Sequence, residues 1–532
     1  MLLGRKSYLQ CVTLTKSLFT AGLQCHKLLW WKVHEPAAVE LQPDKVLQDR
    51  FDQGAQVGAL ARNEFPGGVL IELHQPAPDR IATTNRLMDG RGDPIFEGTF
   101  EAGGVRINAD VLLPEGNGWR MIEVKSASSQ KPEHIPDAAV QAWVLKENGI
   151  DVTRVEIMHL NKDFKHPDQG ALLARTDVTA EVMDAVDGIP TEVARQLAML
   201  DGPLPELAIG IHCESPRECP FHSRCWPAAR DHIAKLHSLG PKKTAAQMAL
   251  GVHTIGDYQE KLPKNGAVSN QTLTIRRQIR AMKENRLIVE PGLAQALEPF
   301  SGRLGFLDFE TISRAVPVWP GMSPWEQAAA QFSYHEGVFE ADPSHSSLAL
   351  LRASSLRDSG RERAFTHSEF LAEGPEDARS PLAFAMVEAT ANAERVVMYT
   401  SFEKTRIRSL QQTVPALRGE LEALEAKLID LHPVIQHHVY HPAFEGSFSL
   451  KYVLPALVPG VSYKDLVIVN GLVASVEIAR LLFVAGKIPD AERARVRQDL
   501  LDYCERDTWA MVKLLEALSG MHSTDVRDRQ QK

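Results

Sequence analysis

Asp110, Glu123 and Lys125 lie in the segment INADVLLPEGNGWRMIEVKSAS. Alternating apolar residues 105–113 and the run 119–125 read as two strands, and Pro114–Gly118 supplies turn chemistry between them. Side chains on a strand alternate faces, so Glu123 and Lys125 point the same way, and the hairpin can bring Asp110 beside them. Two carboxylates at one point bind Mg²⁺ or Mn²⁺, and a neighbouring ammonium can position and help deprotonate an attacking water. That is phosphodiester hydrolysis chemistry. A surface hairpin with a salt bridge is the other reading of so short a pattern.

A second acidic set sits near the other end of the chain. GRLGFLDFET puts Asp308 and Glu310 on one face of a strand. VVMYTSFEKTRI gives a strand followed by Glu403 at a helix start, and YCERDTWAMV puts Tyr503 and Asp507 four apart on one helical face. Four acids brought together would hold two divalent ions, with Tyr503 orienting the water. Each piece alone is compatible with solvated or capping residues.

Cys213, Cys219 and Cys225 are spaced by five intervening residues each, and Cys25 stands far upstream. Clustered cysteines in a reducing compartment bind metal more often than they form disulfides, yet this is not ordinary zinc spacing. A metal centre and four unrelated buried cysteines are both open; Cys11 and Cys504 are expected elsewhere.

These residues need two domains to carry them, as 532 residues exceed one ordinary core. Helices are predicted over 17–31, over 46–62 with Phe51, Gly54, Gly58 and Ala61 on the packed face, and over 136–148. A connector spans 228–300, where Arg276, Arg277, Arg280, Lys283 and Arg286 would form a basic stripe, either against phosphates or solvated. The last block, 301–518, alternates strands with long helices, and 519–532 reads as a disordered tail. The net charge of −9 argues against nonspecific coating of nucleic acid but permits a local basic groove. No run approaches the roughly 18 apolar residues of a membrane span, and no secretory signal is visible, so a cytoplasmic protein is expected. His432, His437, His438 and His441 read as a polar cluster rather than a metal site.

IFEGTF, IEVKSAS and PDAAVQAWVL together resemble the core of the RecB-like PD-(D/E)XK nucleases. The resemblance implies that Glu97, on the preceding strand, and the helix glutamine Gln141 join Asp110, Glu123 and Lys125; Ala109 stands in place of the family's proline. The cysteine set is similar to the iron–sulfur staple of AddB-type and CRISPR-associated nucleases, implying a 4Fe–4S cluster on Cys25, Cys213, Cys219 and Cys225, with zinc as the alternative. FLDFET, the Tyr503–Asp507 pair and GSFSLKYVLPAL resemble the RNase H-like DEDD exonucleases, with Glu403 where aspartate is usual. As a whole the chain resembles a bacterial family of unknown function that fuses these modules. The expected α/β fold is thus a restriction-endonuclease-like domain (14–227), the helical connector and an RNase H-like domain. The expected activity is metal-dependent cleavage of nucleic acid, DNA in the first place. A binding or scaffold protein with inactive sites, and an RNA-processing exonuclease, are the rival readings.

Overall fold

The computed structural model describes residues 12–90, 92–263, 268–339, 365–484, 486 and 488–530, with side chains to residue 521; Cys11 lies outside them. It is a mixed α/β fold in two compact units, residues 1–226 with 314–326, and residues 227–313 with 327–532. The stretch read as a separate connector therefore belongs with the second unit. Its apolar residues, among them Ile275 and Ile279, are spent on a local core with Ile233, Leu236 and Ile255.

The first unit is built on β1 (Leu14–Thr15), β2 (Val69–Leu70), β3 (Ile95–Ala102), β4 (Val105–Glu115), β5 (Gly118–Lys125), β6 (Val152–Leu160) and β7 (Leu173–Asp177). The sheet order is β2-β3-β4-β5-β6-β7, with β1 parallel to the start of β4. β4 runs antiparallel to both β3 and β5, and Gly116, at φ 58°, makes the tight reversal between β4 and β5. The helix His134–Glu147 is buried from Asp137 to Leu145, as its nearly unbroken apolar run requires. Val140 and Val144 join Ile107, Ala109 and Met121 in one core. A fully buried side chain of this size contributes roughly 1.5–3 kcal/mol.

Two expected helices differ in detail. The helix placed over 17–31 is broken at Cys25, whose extended backbone (φ −163°, ψ 124°) separates Lys16–Gln24 from His26–His34. The second spans Lys45–Asn63 but buries Gln53, Val57 and Ala61. Phe51 is exposed and nothing packs on Gly54, so the face chosen from the glycines is the wrong one.

The second unit holds β8 (Ile288–Val289), β9 (Gly302–Ser313), β10 (Gln327–Phe339), β11 (Phe365–Leu371), β12 (Arg395–Met398), β13 (Leu428–Asp430) and β14 (Val439–Tyr440). The main sheet runs β11-β10-β9-β12-β13, antiparallel through β10 and parallel beyond β9. β9 is apolar on both faces because both are covered. Leu304 and Phe306 pack with Val512 and Leu515 of the C-terminal helix Asp490–Gln530, while Leu307 and Phe309 pack with Leu382, Ile407 and Leu410. Asp308 and Glu310 interrupt the first of these rows. The C-terminal helix runs on through the stretch expected to be a disordered tail.

The basic stripe does not form a free cationic face. Arg277 is buried in the helix Asn270–Glu284 and pairs with Glu290, which Arg280 also meets, while Arg276 and Lys283 bond Pro263 and Gln259. The helix His432–His438 stops before His441, so that residue does not share a helical face with His437.

Candidate metal centres

In the first unit the strand register sets Glu97 across from Asp110, because Phe96 pairs with Val111 and Gly98 with Ala109. The β4–β5 register, carried one step past Val111 and Ile122, sets Glu123 across from Asp110 on the other side. Residues directly opposite share a face, so three carboxylates lie in a row across three strands. Glu97 holds a left-handed backbone (φ 58°), an uncommon state for a non-glycine residue.

Glu123 is gripped on both oxygens. Lys16 and Lys125 donate to Oε1 at 2.6 and 2.7 Å, and Gln141 Nε2 donates to Oε2 at 2.7 Å. Asp110 accepts from the Val124 N–H at 2.7 Å, and Lys125 also bonds Asp137, one turn before Gln141. The structure thus brings Asp110, Glu123, Lys125 and Gln141 together with Glu97 at the edge of the row. Lys16 and Asp137 are additions; no local pattern marks either.

Burial, and then the charge of Glu123, pushes the Asp110 carboxyl up to about 7. Burial acts the same way on Glu123, but Lys125 and Lys16 outweigh it and hold that carboxyl well below the usual range. Burial first, and the charge of Glu123 with it, lifts Glu97. Gln141 Oε1 is buried with no hydrogen-bond partner, an acceptor left aimed at nothing beside the acids.

In the second unit the acids close more tightly. Asp308, Glu310 and Asp507 each bring a carboxylate oxygen within 4.8 Å of the others. Glu403, at the start of the helix Phe402–Thr413, interacts with Asp308 and keeps Oε2 buried without a partner. The turn that aims Glu403 is strained. Thr400, a β-branched residue, sits at φ 86°, and its N–H is tied to Asp430 at 3.1 Å. Tyr503 lies one turn before Asp507 and favours its ionised form, and the Tyr463 hydroxyl donates to Asp507 Oδ1 at 2.5 Å. Cys504 does not face solvent; its thiol lies 3.5 Å from Asp308 Oδ2. A Cβ at Gly471 would lie 3.3 Å from Glu310 Oε2, so the start of the helix Gly471–Phe483 closes on that acid.

Burial first, and neighbouring carboxylates second, push Asp308, Glu310 and Glu403 well above the ordinary carboxyl range. Burial also raises Asp507, to about 6, against the hydrogen bonds of the two tyrosines. Lys451 acts on Glu310 and Asp507, yet its ammonium bonds the Val469 carbonyl. Acids so crowded and so poorly neutralised repel one another until cations bind.

The four cysteines all line one cavity with Trp31, Phe221 and Trp226. The break at Cys25 makes it the cap of the next helix, and burial pushes its thiol up against the lowering influence of the Leu28 and Lys27 backbone. Burial likewise pushes the Cys219 thiol up, to about 11. Among the described residues no three of these sulfurs lie within 4.8 Å of one another. A single tetrahedral zinc ion, with bonds of ~2.3 Å, draws its sulfurs to roughly 3.8 Å.

Residues 305–449 match a family described as Domain of unknown function (DUF2779). The match takes in Asp308, Glu310 and Glu403 and stops short of Tyr503 and Asp507. No curated protein matches the chain. Among solved structures, the crystal structure of SSO0001 is 13% identical, covering 42% of this chain and 89% of that chain, with a TM-score of 0.20. A likeness at that score carries no argument about either unit. Among the described residues, no helix is long and apolar enough to cross a membrane.

Proposed function

We propose that the chain is a metal-dependent nuclease with two modules, its second unit an RNase H-like exonuclease and its first a restriction-endonuclease-like, RecB-type nuclease. One observation carries the reading: Asp308, Glu310 and Asp507 present oxygens within 4.8 Å of one another, with Glu403 beside them and unsatisfied. An all-carboxylate set suits Mg²⁺ or Mn²⁺. When bound there, such ions polarise the phosphoryl group and lower the pKa of water, the two things phosphodiester hydrolysis needs.

Asp308 and Glu310 would hold the ions from the floor of the cleft, because a sheet strand is the most rigid support available. Asp507 would hold them from the helix, its carboxylate fixed by Tyr463. Tyr503, buried one turn before Asp507, would orient the attacking water. Glu403 offers a free oxygen where the family has aspartate.

In the first unit, Asp110 and Glu123 would take the ion, with Lys125 beside the water and Glu97 and Gln141 completing the set. Lys16 neutralises Glu123 while no ion is bound. In this reading the cavity lined by Cys25, Cys213, Cys219 and Cys225 would hold a 4Fe–4S cluster, with zinc as the alternative. Nucleic acid, DNA in the first place, is the substrate in this reading, and the cytoplasm its compartment.

Labelled single- and double-stranded DNA and RNA should be offered to the full chain with Mg²⁺ or Mn²⁺. Cleavage that needs the metal, and that Asp308→Asn and Glu123→Gln each reduce in a different substrate or polarity, supports two active modules. Binding without cleavage of any of the four would leave a nucleic-acid-binding protein instead.

A further inference from the structure

Away from the acid cleft, β10 and β11 pair His335 directly with His367, and their rings stack at 4.6 Å. Glu505 reaches the same place from the C-terminal helix. One nitrogen of each ring and one Glu505 oxygen lie within 4.8 Å of one another. No sequence motif marks this set, because its members come from three elements.

With the Thr508 hydroxyl as donor to the Glu505 carbonyl, the hydrogen bonds around the rings form one consistent proton arrangement. The Thr508 hydroxyl donates to the Glu505 carbonyl at 3.0 Å, so Thr508 Oγ1 can only accept from its other neighbours. It accepts from His335 Nδ1 at 2.8 Å and from the Ser333 hydroxyl at 2.9 Å. Ser333, its proton given to Thr508, must then accept from His367 Nε2 at 2.9 Å. The chain of donation runs from His367 through Ser333 and Thr508 to the helix carbonyl. It leaves His335 Nε2 and His367 Nδ1 as the bare lone pairs.

This is how metal-binding histidines are prepared: the far nitrogen gives its N–H to a fixed acceptor, which sets both tautomer and ring orientation. We propose that His335, His367 and Glu505 form a separate metal site that takes a transition metal such as Zn²⁺ in preference to Mg²⁺. Imidazole nitrogen selects that class, whereas Mg²⁺ asks for oxygen. Two histidines and one glutamate leave a coordination position open. Glu505 is exposed and His367 half-buried, so an ion can reach the site from solvent. Ser333, which holds His367, pairs in register with Asp308, so the site lies one strand from the acid cleft on the same sheet face. The assignment stands on these contacts whether or not the acid cleft cleaves phosphodiesters.

The test uses the full chain, stripped with chelator and reloaded with Zn²⁺ or Co²⁺ in excess Mg²⁺. Bound zinc is counted by mass spectrometry, and cobalt is read by its visible ligand-field bands. His367→Ala and Glu505→Gln should each retain one Zn²⁺ fewer per chain than wild type, or bind the last one at least tenfold more weakly. The cobalt bands of a nitrogen-containing site should go with it, while Asp308→Asn keeps both. Glu505 is exposed, so Glu505→Gln should fold even if His367→Ala does not; its unfolding temperature checks this. A Glu505→Gln variant that folds normally and binds Zn²⁺ as wild type does would overturn the proposal. Zinc lost only in Asp308→Asn would overturn it too.

Discussion

The Tyr463 hydroxyl donates to Asp507 Oδ1 at 2.5 Å across 44 positions of chain. It fixes an acid of the cleft that a helix carries rather than the sheet, and it favours the ionised carboxylate that a cation requires. Tyr463→Phe keeps the ring and removes only the donor. The variant should fold with little change in stability, while Mn²⁺ affinity, measured calorimetrically, falls by about 10–100-fold, the usual cost of losing a partner that orients a ligand. Unchanged affinity would reduce Tyr463 to a packing residue.

The pH dependence of stability follows from the raised acids. Without metal, the folded carboxyls of Asp308, Glu310, Glu403 and Asp507 lie above their unfolded values of ~4. Stability from such groups is full at low pH, where both states are protonated. It is lost as pH climbs from ~4 through the folded values, about 6 for Asp507. In chelator, Asp308→Asn should therefore gain stability relative to wild type between pH 4 and pH 7. Saturating Mn²⁺ should reverse that order, because only wild type binds it well. Thermal unfolding across the pH series, with and without metal, reads both effects.

Glu123 stabilises two ammonium groups at once. Glu123→Gln keeps the shape and strands Lys16 and Lys125 beside a neutral amide, at a cost of about 3 kcal/mol, as for a buried pair that loses one member. Adding Lys16→Met should recover part of that loss in urea unfolding. No recovery would mean that the two residues do not interact in solution.

Anaerobically purified protein should be brown and contain iron and sulfide. Cys25→Ser should lose the colour and unfold at lower temperature, because the ligand set ties together segments nearly two hundred residues apart. Colourless protein with stoichiometric zinc would replace the cluster with a zinc site.

Much of this was legible because period-two alternation carries faces as well as strands. The runs 105–113 and 119–125 give β4 and β5, and with them the neighbourhood of Asp110, Glu123 and Lys125. The DxE spacing does the same for Asp308 and Glu310 on β9. What alternation cannot carry is anything delivered from another element. Lys16 arrives from a helix 107 positions before Glu123, and Tyr463 from a stretch without periodicity. The break at Cys25 was hidden because its neighbours continue a helical apolar pattern. There the packing of Cys25 with Leu28, Cys219 and Phe221 overrides local propensity. Glycine spacing misled on the helix Lys45–Asn63, since a missing side chain permits close approach without requiring it.

The central claim is that Asp308, Glu310, Glu403 and Asp507 hold divalent ions, and anomalous diffraction from crystals soaked in Mn²⁺ tests it most directly. One or two manganese peaks are expected, bonded to oxygens of Asp308, Glu310 and Asp507, with Glu403 turned toward them. If two bind, they should lie about 3.5–4 Å apart. A cleft with no manganese, or one in which Glu403 points away and a lysine or arginine side chain fills the space between the acids, would contradict it.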